Sequence, residues 1–256
     1  MPTTFPQRKI ITLLTDFGSI YPSQMKGVIL SRLSDVALVD IAHDIPAQNI
    51  RAGAFALMTT VRYFPKGTIH LAVVDPGVGT KRRGIAVQSG GHVFVGPDNG
   101  LLIPAARSLG VPKVRMISQK FEASFTFHGR DIFAPMAATL AEGESFENIG
   151  PRVDPVELDF GKPHHSDKGI ESRVIFVDHF GNLILNLAEV PEGDLKLKDR
   201  HLKRVRTYAE AKGIEPLITI GSHGFAEIAV NQGSAADVFG LAPGDLIVLE
   251  RANCSE

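Results

Sequence analysis

The sequence predicts an α/β protein with two parts: an N-terminal three-layer α/β domain around a mainly parallel sheet, and a smaller C-terminal domain like a β-barrel. Up to about residue 160, apolar strand-like segments alternate with helical segments, which is typical of a parallel sheet covered by helices. Residues 161–169 are polar and rich in turn formers, as a linker is. Short strand-like segments separated by turns follow, which favours a barrel or sandwich. We therefore predict domains over residues 1–162 and 170–256.

The N-terminal part begins with an apolar strand-like segment, 9–14, and apolar residues then recur at helical spacing over 22–34. Gly90 and Gly91 separate two strand-like segments and predict a hairpin. Asp131 precedes the last helical segment and is predicted to be its N-cap. The predicted strands are 9–14, 36–41, 68–74, 84–87 and 92–95, and the predicted helices are 22–34, 48–63, 101–108 and 132–141.

The C-terminal part shows no helical alternation, only short segments of β-forming residues bounded by turns. Their number and spacing predict a small closed or sandwiched sheet. The predicted strands are 171–177, 183–187, 205–208, 216–220, 226–230 and 245–249.

Composition limits the class of function. The 256 residues are 44% hydrophobic and 21% charged, with a net charge of −1, so neither nucleic acid nor an anionic membrane is an expected partner. The one cysteine, Cys254, cannot form an internal disulfide, which fits a reducing compartment. No apolar run approaches the roughly 20 residues that span a bilayer. We therefore expect a cytoplasmic protein.

A candidate site lies where the apolar segment 69–74 ends. Asp75 follows it directly, then a proline and two glycines, then Arg82 and Arg83. In open α/β sheets, ligands bind at this end of the strands. Asp75 and an arginine can face each other across such a turn. The alternative is a β-turn in which Asp75 caps its own backbone and the arginines are solvated.

Other polar residues have the same kind of position. Three further aspartates, Asp16, Asp44 and Asp178, stand at the ends of apolar segments or just beyond them. His128 precedes a predicted helix, where a histidine is either structural or catalytic. Asp75, Arg82 and His128 therefore form a candidate acid, arginine and histidine set within one domain.

Several familiar sites are not indicated. The sequence has no HxH, HExxH or CxxC spacing, so we predict no metal site. Residues 16–18 (DFG) and 128–131 (HGRD) resemble kinase motifs only superficially, because the glycine-rich loop and the strand lysine are missing. Neither a GxGxxG nor a Walker motif is present.

Eight motifs, in order from about residue 9 to about residue 250, together resemble the S-adenosylmethionine hydroxide adenosyltransferases, relatives of the fluorinase and chlorinase enzymes. One such motif alone is common, whereas eight in order are specific. They are LLTDFG (13–18), MKGVI (25–29), HDIPAQNI (43–50), VVDPGVG with two arginines (73–83), GPDNGLL (96–102), FHGRDIFAPMAA (127–138), VDHFGNLILN (177–186) and SHGFAEIAVNQGSAA (222–236).

The resemblance implies both fold and reaction. It implies an α/β N-terminal domain, a barrel-like C-terminal domain, and a homotrimer with active sites between neighbouring subunits. The substrate is S-adenosyl-L-methionine (SAM), no cofactor is needed, and nucleophilic substitution by water or hydroxide at ribose C5′ gives adenosine and L-methionine. The catalytic set of the hydrolase branch falls on Asp75, Arg82 and His128. Halogenases have other residues, including tyrosine, at the Asp75 position.

The resemblance also implies substrate contacts. Asp16 is expected at the ribose hydroxyls, and Asp178 and Ser222 at the methionine end. Phe180 and Asn182 are expected against the adenosine, where an amide side chain has a donor and an acceptor for an adenine edge. Two further candidates are Glu227 and Tyr208, the latter stacking on adenine.

The chain departs from the fluorinase pattern at one place. Fluorinase has an arginine after the serine that corresponds to Ser222, near the methionine carboxylate, whereas this chain has His223. The residue that anchors the carboxylate is therefore unassigned by the resemblance, with backbone amides as one alternative.

The implied chemistry needs little acid catalysis, because methionine leaves the sulfonium as a neutral thioether. The task is to place a nucleophile in line behind C5′. Asp75 accepts a proton or a hydrogen bond from water, Arg82 keeps Asp75 ionised, and His128 shares the proton. Whether Asp75 or His128 is the base stays open at this point. A 5′-halogenase of the same superfamily and a non-catalytic adenosine- or SAM-binding module are the alternatives.

Overall fold

A computed structural model describes residues 8–119, 121–167 and 169–251. Cys254 lies outside these residues. The chain divides into two compact units, the first ending at Asp159 and the second beginning at Phe160. Within the described ranges, no helix is both long and apolar enough to cross a membrane.

The first unit is built on a six-stranded sheet in the order β2-β1-β3-β5-β4-β6. The neighbours β2, β1, β3 and β5 are parallel, whereas β4 is antiparallel to both β5 and β6. The predicted mainly parallel sheet and its hairpin are therefore confirmed. The strands are β1 (Lys9–Thr15), β2 (Val36–Ala42), β3 (Ile69–Val73), β4 (Gly84–Ser89), β5 (His92–Pro97) and β6 (Lys113–Met116).

Helices cover both faces of this sheet. Neighbouring residues of a strand point to opposite faces. Leu13 packs in one cluster with Met25 and Met136, whereas Leu14 lies against Gly53 on the other side. The three-layer arrangement is therefore confirmed. The helices are α1 (Tyr21–Leu30), α2 (Ile50–Thr60, continued by a 3₁₀ turn over Val61–Tyr63), α3 (Ile103–Leu109) and α4 (Ala134–Glu142).

One capping prediction in this unit is wrong. Asp131 is not an N-cap, because the chain already forms a π-helical turn over Gly129–Phe133 before α4 begins at Ala134. The Asp131 carboxylate instead accepts hydrogen bonds from Arg130 and from the backbone N–H of Ser124, 2.9 Å away.

The second unit is a closed β-barrel, as predicted. Seven strands follow one another in the order β14-β10-β11-β12-β13-β9-β8, and β14 pairs with β8 to close the ring, while β7 adds to the edge of β8. Its interior is filled by aliphatic side chains such as Val174, Leu185, Ile218 and Leu249. The elements are β7 (His164–Ser166), β8 (Gly169–Val177), β9 (Leu183–Leu185), β10 (Leu195–Leu197), β11 (Arg200–Arg204), β12 (Pro216–Ile220), β13 (Ala226–Val230), α5 (Ala235–Phe239) and β14 (Leu246–Arg251).

The strand predicted over 205–208 is wrong. Strand β11 ends at Arg204, and a 3₁₀ turn forms over Tyr208–Glu210. The Glu210 carboxylate accepts the backbone N–H groups of Arg206 and Thr207 at 3.3 and 3.1 Å, which turns the chain there.

Candidate active site

The carboxyl end of β3 carries a buried ion pair. Val73 and Val74 are buried, and Asp75, which follows them at the carboxyl edge of the sheet, is buried too. Arg82 comes back across the following turn, and its Nε donates to Asp75 Oδ1 at 3.0 Å while Nη2 donates to Oδ2. The Asp75 side chain is only 3% exposed and that of Arg82 only 9%. This two-point contact fixes the orientation of the carboxylate.

His128 completes the group. Nη2 of Arg82 lies 2.9 Å from His128 Nδ1. Because a guanidinium only donates, Nδ1 is the acceptor, and the hydrogen-bond pattern assigns the ring proton to Nε2. Desolvation and the Arg82 charge lower the pKa of His128, and together they outweigh the opposing effect of Asp75 and Asp131. His128 is therefore neutral at neutral pH.

A close backbone contact brings these distant segments together. Gly79, in the turn after β3, has a φ of 78° and faces the carbonyl oxygen of Phe125. A Cβ on Gly79 would lie 2.5 Å from that oxygen, so only glycine allows the turn to approach so closely. The turn that carries Arg82 is thereby held against the segment that leads to His128.

Asp75 and His128 line a cavity of about 450 Å³ whose other wall is aromatic. Phe17, Tyr21 and Phe127 form it, with the ring of Phe127 edge-on to Phe17 and Tyr21 at 5.6 and 5.5 Å between centroids. Sequence analysis missed this wall as a functional feature. The available signal was the position of Phe17 beside Asp16 and of Phe127 beside His128.

Asp16 follows β1 directly, at the same edge of the sheet as Asp75. Its Oδ2 accepts the backbone N–H of Gln48 at 2.7 Å. Its neighbour Phe17, rather than Asp16 itself, lines the cavity. The structure therefore places Asp16 near the catalytic candidates in the fold without joining it to their hydrogen-bond network.

The other six candidates lie in the second unit, and all line one cavity of about 750 Å³. They come from the turn after β8, the turn after β11, and the loop between β12 and β13 with the start of β13. The six are Asp178, Phe180, Asn182, Tyr208, Ser222 and Glu227.

Asp178 organises one wall of this cavity. Its Oδ1 accepts the backbone N–H groups of Phe180 and Asn182, and its Oδ2 accepts the Asn182 side-chain amide, each at 2.9 Å. Asn182 is buried, whereas Phe180 is 74% exposed. The turn thus presents a free aromatic face beside a fixed carboxylate.

Glu227 organises a second group of side chains in this cavity. Its buried carboxylate accepts the Tyr208 hydroxyl at one oxygen and lies 3.1 Å from His223 Nε2 at the other. Burial and the neighbouring Glu227 raise the pKa of Tyr208, so the phenol stays protonated and donates. The described residues contain no group of three or more His, Cys, Asp or Glu side chains placed to hold a metal ion.

Comparisons with known proteins agree across both units. The family models of the SAM hydroxide adenosyltransferase N-terminal and C-terminal domains match residues 11–150 and 172–248. A protein of Salinispora tropica named (R)-S-adenosyl-L-methionine hydrolase is 39% identical over 92% of this chain and 95% of its own. A fluorinase of Actinopolyspora mzabensis is 27% identical over 96% and 98%. The crystal structure of an uncharacterized conserved protein from Thermotoga maritima, 34% identical, superimposes with a TM-score of 0.85 over 93% of this chain and 99% of that one.

Proposed function

The chain belongs to the SAM hydroxide adenosyltransferase family, and we propose that it is an enzyme that hydrolyses SAM to adenosine and L-methionine. The observation that carries the proposal is the Asp75 carboxylate, held by Arg82 at two points and lining a cavity beside a neutral His128. The hydrolase relative is named for the (R) form of the substrate, and we propose the same sulfonium configuration here.

In the proposed mechanism, Asp75 is the base. His128 Nδ1 is occupied by Arg82, and Nε2 carries the proton, so the ring donates a hydrogen bond and does not accept one. Asp75 accepts a hydrogen bond from the attacking water and takes its proton as the C5′–O bond forms and the C5′–S bond breaks. His128 Nε2–H orients the same water, and Arg82 positions both partners.

Hydrolysis is favoured over halogenation by charge. A halide bound in line with C5′ would be an anion beside the Asp75 carboxylate, and like charges at such distances repel strongly in a desolvated site. A neutral water has no such penalty and gains an acceptor.

We propose that the second-unit cavity holds the substrate through the six residues that line it. Phe180 and Tyr208 offer aromatic faces to adenine, with Asn182 and Glu227 beside them. Asp178 and Ser222 are proposed to bind the methionine end, and Asp16 to bind the ribose hydroxyls.

We make three broader proposals. The resemblance supports a homotrimer with active sites between neighbouring subunits and a reaction that needs no cofactor. The single cysteine, which fits a reducing compartment, supports a cytoplasmic location.

The experiment is chromatography of the purified protein incubated with SAM in halide-free buffer, beside an Asp75→Ala variant. We expect equal amounts of adenosine and methionine from the wild type and none from the variant. Repeating the incubation with chloride or fluoride tests halogenation, since 5′-halo-adenosine would favour that alternative. Tight binding of SAM without turnover would instead favour a binding module.

A further inference from the structure

The cation expected near the methionine carboxylate is not His223. Its Nδ1 accepts the backbone N–H of Phe225 at 3.1 Å, and its Nε2 lies 3.1 Å from the Glu227 carboxylate. Only Nε2 can then carry a proton, because a second proton on Nδ1 would face the Phe225 N–H. Both ring nitrogens of His223 are therefore engaged within the chain, and His223 does not replace the arginine of fluorinase.

The remaining charges of the cavity point to a different residue. Two acids, Asp178 and Glu227, line it, and Arg206 is the one lysine or arginine among the described lining residues. Both acids already accept hydrogen bonds from their own surroundings. The guanidinium of Arg206 makes no ion pair within the described residues. It is therefore available to a ligand, and without it the cavity would repel an anion.

The backbone around Arg206 is fixed rather than loose. Its N–H donates to Glu210 Oε1, which also accepts from Thr207 and closes a capping box before Tyr208. The Arg206 side chain therefore extends from a backbone turn that hydrogen bonds hold in place, two residues before Tyr208, the ring proposed to contact adenine.

We infer that Arg206 binds the α-carboxylate of the substrate's amino-acid end. This inference rests on the proposed function, because it assumes a substrate with an α-amino acid group. Such a group is a zwitterion, and the cavity offers the matching pair, the Asp178 carboxylate for the ammonium and Arg206 for the carboxylate. A guanidinium can bind a carboxylate through two parallel hydrogen bonds.

The test combines variants with a substrate analogue. The variants are Arg206→Ala, Arg206→Lys and, as a control, Arg204→Ala, which removes an arginine that lines the neighbouring groove but not this cavity. The substrates are SAM and its decarboxylated form, which keeps the sulfonium and the amine. We expect Arg206→Ala to raise KM for SAM by about tenfold or more with little change in kcat, as the loss of a charged hydrogen bond does.

KM for the decarboxylated form should be the same in Arg206→Ala and the wild type. Arg206→Lys should restore part of the loss, and Arg204→Ala should behave as wild type. An equal rise in KM for both substrates, or an unchanged KM for SAM, would overturn the inference, because either result would mean that Arg206 does not bind the α-carboxylate.

Calorimetry with L-methionine separates this inference from the proposed function. If the wild type does not hydrolyse SAM, the proposed function fails, yet methionine binding that is lost in Arg206→Ala would still support the inference. Methionine that binds both proteins equally, or neither, would overturn it. The amine 3-methylthiopropylamine, which lacks the carboxylate, serves as the control ligand.

Discussion

Asp75, Arg82 and His128 set one another's chemical state. Arg82 fixes the carboxylate at two points and occupies one nitrogen of the imidazole. Asp75 in turn compensates a guanidinium that is only 9% exposed. Removing any one member therefore changes the other two, and the three side chains behave as a unit.

The first prediction concerns that unit. Asp75→Asn and Arg82→Ala should each lower kcat by about 100-fold or more, because each removes the oriented base. The double variant should be close to the worse single variant, because the effects of residues that act together do not add. Steady-state kinetics of the four proteins test this, and multiplicative losses would contradict it.

Arg82→Ala should also destabilise the fold, because it leaves a buried carboxylate without its partner, a change that costs about 3–5 kcal/mol. Asp75→Asn should cost less, because the asparagine keeps an oxygen that accepts from the Arg82 guanidinium. Urea unfolding of both variants measures the difference. If Arg82→Ala kept full turnover while folded, the proposed unit would not exist.

The second prediction is a pH profile. The pKa of His128 is lowered from its ordinary value, so the neutral ring should persist below about pH 6.5. We expect kcat/KM to be level from pH 8 to about pH 6.5 and to fall only at lower pH. An acid limb at or above pH 6.5 would contradict the assignment.

The same shift makes His128 a contributor to stability with a defined sign. The unfolded chain takes up a proton near pH 6.5, and the folded chain does so only at lower pH. The contribution of His128 to the free energy of unfolding is therefore complete above about pH 6.5 and decreases as the pH falls toward the folded pKa. Urea unfolding at pH 7.5 and 5.5, with His128→Asn as control, measures it.

At this scale the sequence indicated that Asp75 could meet an arginine across the tight turn, with Arg82 and Arg83 both candidates. It did not locate His128, which lies 46 positions from Arg82 in the chain. From the residues alone, the two were grouped only as polar residues of one domain, and the family resemblance assigned them to one catalytic set. In the structure, the close approach of Gly79 to Phe125 brings their segments together.

The turn after β3 is the element on which this geometry depends. The third prediction is that Gly79→Ala lowers kcat by about tenfold or more, because the added Cβ would push the turn away from the His128 segment. The control is Gly67→Ala, which also has a positive φ but has no atom near its would-be Cβ. Full activity in folded Gly79→Ala would contradict the prediction.

The elements that sequence analysis identified are those with long apolar runs, such as β1 and β3. It missed β6, β10 and β11, because three to five residues in which apolar and charged side chains alternate resemble a loop. It also missed β7, which lies in the predicted linker and pairs with β8. In the wrongly predicted strand 205–208, the Glu210 cap, a side-chain contact, overrides the β-forming residues.

The whole chain carries its candidate residues in two compact units, with the catalytic set in the first and six substrate-binding candidates in the second. The domain division at 1–162 and 170–256 stays a prediction. The homotrimer is likewise a prediction, and it has a testable consequence. If active sites lie between subunits, one subunit's defect in the first unit can be compensated by a neighbour.

The fourth prediction tests this compensation between subunits. Asp75→Ala and Asp178→Ala should each be inactive, and their co-expressed mixture should recover up to about a quarter of wild-type activity, the fraction of sites built from two intact halves. Each variant co-expressed with itself is the control. No recovery in mixed oligomers, confirmed by light scattering and differential tags, would contradict sites between subunits.

The central claim is that water attacks C5′ of SAM, and the most direct test is the fate of the water oxygen. The purified protein is incubated with SAM in ¹⁸O-labelled water, and the adenosine is analysed by mass spectrometry with fragmentation of the ribose. We predict one ¹⁸O atom at the 5′ position and one methionine released for each adenosine. Unlabelled adenosine, or no adenosine at all, would contradict the account.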